Sequence, residues 1–174
     1  MAFKRPKPLM FAQSMAFGID HLYYAFEKVR DGGRNDSWYN PLDLPMLCGI
    51  VVPQFQRAKV WSMDQNRALI ESVWRGIPIG TYSVNFSVGK TLPPELTNIL
   101  IDGQQRINAL SLYWQGGFAF DGYFWQDLSD LDQRLFIRNN FPQQRTDSCD
   151  MNEVLEYYNA MNFGGTDHTE EDRA

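Results

Sequence analysis

The sequence has 174 residues, of which 44% are hydrophobic and 14% aromatic, so it can form the core of one ordinary domain without disulfides or a metal. Its 21 acidic residues outnumber its 16 lysines and arginines, and the net charge of −5 opposes unspecific binding to nucleic acid, although a local basic patch can still contact DNA. The two cysteines and two histidines lack zinc-site spacing, and no apolar stretch can cross a membrane or act as a secretory signal, so we expect a cytoplasmic protein without a membrane partner.

The predicted elements begin with a helix in "IDHLYYAFEKVRD", where apolar residues recur at helical spacing before Gly32-Gly33. An apolar strand, "CGIVVP", follows and ends at Pro53. The next segment, "WSMDQNRALIESVWRG", predicts a second helix, because Ser62 and Gln65 have the spacing of a capping box and stand before an apolar stripe.

Two more strands are predicted in "IPIGTYSVNFSV" and "NILI", and a helix is predicted to begin at Asp102. Further helices are predicted in "DLSDLDQRLFIRNN", capped by Ser129, and in "MNEVLEYYNAMNF", ended by Gly164-Gly165. Strands and helices alternate in the middle of the chain, and helices gather toward both termini. The sequence therefore predicts an α+β fold with a small mixed sheet flanked by helices.

Five consecutive small or polar residues, "DGQQR", stand where the last predicted strand meets its helix. A purely structural interpretation makes Asp102 the N-cap, Gln105 its capping-box partner and Gly103 the turn residue. It leaves Gln104 and Arg106 unexplained, because a cation in the first turn of a helix is unfavourable unless an anion shares the site. A phosphate would be such an anion, and a carboxylate can hold Mg²⁺, so a nucleotide site is the alternative interpretation.

A second polar cluster, "QFQRAK", lies at the other strand-to-helix junction. Gln56 and Arg57 repeat the chemistry of the first cluster, although Gln54, Gln56 and two solvated cations would also suit an exposed strand edge. Since both junctions follow strands of one small sheet, we expect them to face each other across one concave site.

Three segments resemble the N-terminal domain of the GmrSD-type restriction endonucleases, a branch of the ParB/sulfiredoxin-like superfamily. They are "VPQFQRAKVWSMDQNRALIESVWRGIPIG", "LIDGQQRINAL" and "YYNAMNFGGTDHTEED". The matching motifs are Q-R-x-x-x-W at Gln56, Arg57 and Trp61, P-I-G at 78–80, D-G-Q-Q-R at 102–106, and N-x-G-G-T at Asn162, Gly164, Gly165 and Thr166.

The resemblance implies a ParB/sulfiredoxin-like sheet and a site for a nucleoside triphosphate with Mg²⁺. The implied catalytic residues are Asp102, Gln104, Gln105 and Arg106, with Asp102 also the metal ligand. The implied nucleotide-binding residues are Gln56, Arg57, Gly103, Arg106, Asn162, Gly164, Gly165 and Thr166. The 162–166 loop is expected to close onto the phosphates, with a plain helix C-cap as the alternative.

Relatives also carry an HNH-type nuclease domain, which His21 and His168 cannot build here, so the sequence predicts a standalone domain. Three functions stay open. The first is nucleotide binding with NTP hydrolysis; the second is a non-catalytic, phage-type regulator or decoy that binds a host defence or DNA-partition protein; the third is a DNA nickase. The expected organisation is a single domain with a helical N-terminal extension (1–45), a motif-bearing core (46–115), C-terminal helices (116–165) and an acidic tail (166–174).

Overall fold

The computed structural model describes residues 9–10, 12–32, 40, 42–56, 58 and 60–163. Within these residues the chain forms six strands and five α-helices, in the order β1 (Gln13–Met15), α1 (Ile19–Arg30), β2 (Met46–Leu47), β3 (Ile50–Val51), α2 (Met63–Trp74), β4 (Tyr82–Asn85), β5 (Ile99–Asp102), α3 (Gln104–Trp114), α4 (Asp130–Ile137), β6 (Gln143–Thr146) and α5 (Met151–Phe163). No helix in this part of the chain has the length and apolar character needed to span a bilayer.

The strands form one mixed sheet in the order β1-β6-β4-β5-β3-β2. β4 pairs antiparallel with β5 and parallel with β6, while β3 pairs parallel with β5. The predicted α+β fold with a small mixed sheet is confirmed. Because β3 and β5 are parallel neighbours, both strands end at the same edge of the sheet, and the segments that follow them start side by side.

The central strand β5 is buried on both faces of the sheet, as expected for a strand covered by helices on each side. Leu100 packs into the larger core, which the first four helices share, and is fully buried. Ile99 and Ile101 point the other way, into a smaller core with Val154 and Tyr158 of α5. This double burial fixes the position of β5, and therefore of the residues that follow it.

The structure corrects the prediction in the two terminal regions, which were expected to be helical. β1 lies in the N-terminal region, and β6 lies in the C-terminal region between α4 and α5. The β6 sequence, "QQRT", lacks the apolar alternation that predicts a strand. Polar partners hold it in the sheet instead. Gln143 Nε2 donates to the Tyr82 hydroxyl at 3.2 Å, and Thr146 Oγ1 donates to Asn85 Oδ1 at 2.9 Å.

The capping box predicted for α2 is present. Ser62 Oγ accepts a hydrogen bond from the Gln65 N–H at 3.2 Å, and Gln65 Oε1 accepts one from the Ser62 N–H at 2.8 Å. We expect Ser62→Ala to lower the free energy of unfolding by about 1 kcal/mol, measured by urea denaturation. Ser72→Ala, inside the same helix, is the control and should change stability little, because alanine is the better helix former. Equal effects of the two substitutions would contradict a cap.

Candidate functional site

A cavity of about 280 Å³ opens at the sheet edge where β3 and β5 end. The described residues that line it are Gln56, Trp61, Asp102, Gly103, Gln104, Gln105, Arg106 and Asn162. Gln56 of the first junction and residues Asp102 to Arg106 of the second therefore line one concave site. Arg57, Gly164, Gly165 and Thr166, which the sequence also assigns to this site, lie outside the described residues.

The Gln56 side chain ties the first junction to the end of β5. Its Nε2 lies 3.0 Å from the Leu100 carbonyl oxygen and 2.9 Å from that of Ile101. These contacts occupy the amide nitrogen with backbone acceptors. Gln56 thus ties the end of the segment after β3 to the end of β5.

The Gln105 side chain binds the same segment from the opposite side. Its Oε1 accepts hydrogen bonds from the N–H groups of Val60 at 3.1 Å and Trp61 at 3.4 Å, and its Nε2 donates to the Ala58 carbonyl at 3.0 Å. Gln105 is only 7% exposed, and both ends of its amide have partners. This geometry makes Gln105 a positioning residue for the 58–61 segment, and the sequence carries no local signal of these distant backbone partners.

Asp102 and Arg106 form an ion pair beneath the start of α3. Asp102 Oδ2 lies 2.6 Å from Arg106 Nη2, and the two side chains are 16% and 23% exposed. The expectation that Asp102 caps the helix with Gln105 is wrong: the N-cap is Gly103, in the left-handed region at φ 96°, and no side chain caps the helix. A Cβ on Gly103 would lie 2.6 Å from the Tyr82 Cβ, so this turn against β4 requires glycine. The anion that a first-turn cation needs is Asp102 itself.

The P-I-G turn holds the other edge of the Arg106 guanidinium, a role the sequence alone did not reveal. Arg106 Nη1 donates to the Ile79 carbonyl at 3.3 Å. Gly80 has φ 82°, and a Cβ there would lie 2.6 Å from Nη1. The P-I-G and D-G-Q-Q-R motifs are therefore parts of one structure, in which a glycine makes room for the arginine.

Gly80→Ala is expected to displace the Arg106 guanidinium and to destabilise the fold more than Gly89→Ala. Gly89 is the matched control, because it has a similar φ of 91° but open space around its Cβ position. Both substitutions bear the cost of the left-handed backbone, about 1 kcal/mol, and only Gly80→Ala adds a clash and weakens the Asp102–Arg106 pair. Urea denaturation measures the difference, and equal losses would show that the guanidinium does not depend on Gly80.

The first turn of α3 presents unused hydrogen-bonding groups to this region. Within the described residues, the N–H groups of Gln104, Gln105 and Arg106 have no hydrogen-bond acceptor; the first intrahelical bond runs from the Ile107 N–H to the Gly103 carbonyl at 3.0 Å. Gln104 is 8% exposed and lines the cavity, yet its Oε1 has no hydrogen-bond partner in the part of the chain that the structure describes. Buried polar atoms are almost always satisfied, so this oxygen and these donors mark a place for a polar ligand or water.

The cavity offers few ligands for a metal ion. Asp102 is the one carboxylate among the described lining residues, and it is already paired with Arg106. No three His, Cys, Asp or Glu side chains of the described residues lie close enough together to hold a metal. A Mg²⁺ ion bound here would need most of its oxygen ligands from phosphates and water, as is usual for Mg²⁺ in nucleotide sites.

Comparison with known proteins identifies the family. The model of the GmrSD restriction endonuclease N-terminal domain matches residues 38–172 and so includes every residue of the cavity. Comparisons with curated proteins and with solved structures find no match. The match extends over most of the sequence, and the chain belongs to the family of GmrSD restriction endonuclease N-terminal domains.

Proposed function

We propose that the cavity at Asp102–Arg106 binds the phosphates of a nucleoside triphosphate within a restriction-related domain. The observation that carries this proposal is the first turn of α3, where the backbone N–H groups of Gln104, Gln105 and Arg106 have no acceptor among the described residues and the Arg106 guanidinium lies in the same turn. The amino end of a helix carries partial positive charge, and free N–H groups there are suited to phosphate oxygens.

The size of the cavity supports binding of the phosphates rather than of the whole nucleotide. Its volume of about 280 Å³ is near the lower limit of small-molecule sites. The base and ribose would therefore lie at the mouth of the cavity, where the partly exposed Trp61 offers an aromatic surface.

A triphosphate bound in this site would need a cation beside it. Among the described residues, Asp102 and Ile79 each accept one hydrogen bond from the Arg106 guanidinium, which leaves several of its five N–H donors for a ligand. The Asp102 carboxylate, however, repels a phosphate placed beside it. Mg²⁺ bound with the triphosphate would have Asp102 as its protein ligand and would neutralise phosphate charge. We therefore expect Mg²⁺ to strengthen binding.

The same residues favour slow hydrolysis over rapid turnover. A general base must carry a free acceptor near the attacking water. Asp102 would be engaged by Arg106 and by the Mg²⁺ ion together, and Gln105 is engaged by the backbone of Ala58 and Val60. Gln104 Oε1, which has no partner among the described residues, can orient a water, but an amide is a weak base. We expect these residues alone to hydrolyse the triphosphate with a kcat below about 1 s⁻¹, which is the lower end of the range for typical enzymes.

Calorimetric titration of the full chain with ATP, GTP, CTP and UTP, with and without Mg²⁺, tests the proposal. We expect saturable, Mg²⁺-strengthened binding of at least one of them, with slow release of phosphate. Absence of binding to all four at millimolar concentration would contradict it. The predicted alternative, a non-catalytic regulator that binds a defence or partition protein, would then be the better explanation of the fold.

A further inference from the structure

A second cavity, of about 340 Å³, lies between α1 and the opposite end of the sheet. It shares no described lining residue with the first cavity. Its polar lining consists of His21, Lys28, Asn98, Gln143 and Arg145, and its described lining contains no aspartate or glutamate. The described lining thus combines the cationic Arg145 with amide and imidazole groups in a protein whose net charge is −5.

The Arg145 guanidinium is fixed in place by neutral groups. Its Nε and Nη2 donate to Gln143 Oε1 at 3.1 and 2.8 Å, and its Cζ lies 4.7 Å from the centre of the Phe86 ring. Gln143 is only 4% exposed and is itself held by the Tyr82 hydroxyl. The guanidinium is therefore preorganised, and its Nη1 donors have no partner among the described residues.

No carboxylate of the described residues forms an ion pair with Arg145, although six other ion pairs occur in this part of the chain. Partial burial lowers the pKa of Arg145 from its ordinary value. The pKa of His21 is lowered by burial and by the nearby positive charge of Arg145, while Asp20 opposes this effect. A partly buried cation without an anion is unfavourable, and an anion in the cavity would reduce that cost.

We propose that this cavity binds the oxyanion, a carboxylate or a phosphate, of a small molecule. Arg145 would bind it bidentately through its free edge, with Lys28 at the exposed rim of the cavity. Leu22, Ile50 and Val84 lie beneath the cavity and are each at most 6% exposed, so the inference concerns the oxyanion of the ligand. This site lies at the other end of the sheet from the nucleotide cavity and does not depend on it.

The His21 imidazole reports on this cavity because it lines it and senses the charge of Arg145. The experiment is an NMR pH titration of His21 in the full chain with inorganic phosphate or acetate, with ionic strength held constant by NaCl. A bound anion should raise the His21 pKa saturably above its value in NaCl alone. A rise with phosphate only assigns the cavity to phosphate-bearing ligands, and a rise with acetate only assigns it to carboxylates.

Variants distinguish anion binding in this cavity from unspecific effects of charge and from binding in the first cavity. Arg145→Gln should weaken the anion's affinity by about tenfold or more, while Arg138→Gln, which removes the same charge from the exposed end of α4, should not. Lys28→Gln, on the exposed part of α1, should weaken it less. Arg106→Gln should leave the His21 response unchanged, so failure here is distinct from failure of the nucleotide proposal. No saturable rise in the wild type, or an equal response in Arg145→Gln, would overturn the inference.

Discussion

Replacing Arg106 with glutamine is expected to weaken binding of a nucleoside triphosphate by about ten- to a hundredfold, because a charge-assisted hydrogen bond contributes about 1.5–3 kcal/mol. The substitution also removes the partner of Asp102, whose carboxylate would then face the phosphates uncompensated. Calorimetric titration of the wild type and the variant measures the change in affinity.

The ion pair means that this substitution also affects stability. A first-turn arginine that served a ligand alone could be lost at little cost, but Arg106 neutralises the partly buried Asp102 and bonds to Ile79. We expect Arg106→Gln to cost about 1–2 kcal/mol, reduced from the value for a fully buried pair because both side chains remain partly exposed.

Two controls isolate the ligand effect. Arg138→Gln removes one positive charge from an exposed position and should bind nucleotide like the wild type. The double variant Asp102→Asn/Arg106→Gln removes both charges and should regain stability without regaining full affinity. Wild-type affinity in the Arg106→Gln single variant, in protein shown to be folded, would contradict the role of this arginine.

Gln105→Ala is expected to lower the free energy of unfolding by about 2–3 kcal/mol. It would leave the N–H of Val60 and the carbonyl of Ala58 without their partner and would release the segment that carries Trp61. Urea denaturation of the full chain measures this loss.

The neighbouring Gln104 provides a matched control, since it lies in the same helical turn and is 8% exposed against 7% for Gln105. Its Oε1 has no partner, so Gln104→Ala should cost less than about 1 kcal/mol. It should nevertheless weaken nucleotide binding, because Gln104 lines the cavity. A larger stability loss for Gln104→Ala than for Gln105→Ala would contradict this division between a positioning and a ligand-facing glutamine.

The elements that local signals specify could be predicted from the sequence. Ser62 and Ser129 cap their helices as expected, and the α1 to α3 helices have the predicted apolar stripes. β6 was missed because its sequence is polar, and its place in the sheet depends on Tyr82 and Asn85, about 60 residues earlier in the chain. Local propensity cannot reveal a strand that is stabilised by such distant partners.

For the site, the described part of the predicted set lines one cavity, but the sequence did not predict what each residue does. Parallel strands that end together were enough to bring Gln56 and the D-G-Q-Q-R residues to one cavity. The interpretation of Asp102 as a cap was wrong, because the Gly103 turn moves the N-cap by one residue and turns Asp102 toward Arg106. The partners of Gln105 lie 44 to 47 residues away, so its bonds to the 58–61 backbone could be found only in the folded chain.

The central claim, that nucleotide phosphates bind at the first turn of α3, is tested most directly by NMR of the ¹⁵N-labelled full chain during titration with the nucleotide and Mg²⁺. We expect the backbone amide signals of Gln104, Gln105 and Arg106 to shift saturably, with the same dissociation constant that calorimetry gives, because their free N–H groups would donate to phosphate oxygens. Saturation of the protein by nucleotide while these three amides keep their positions would place the ligand elsewhere and contradict the account.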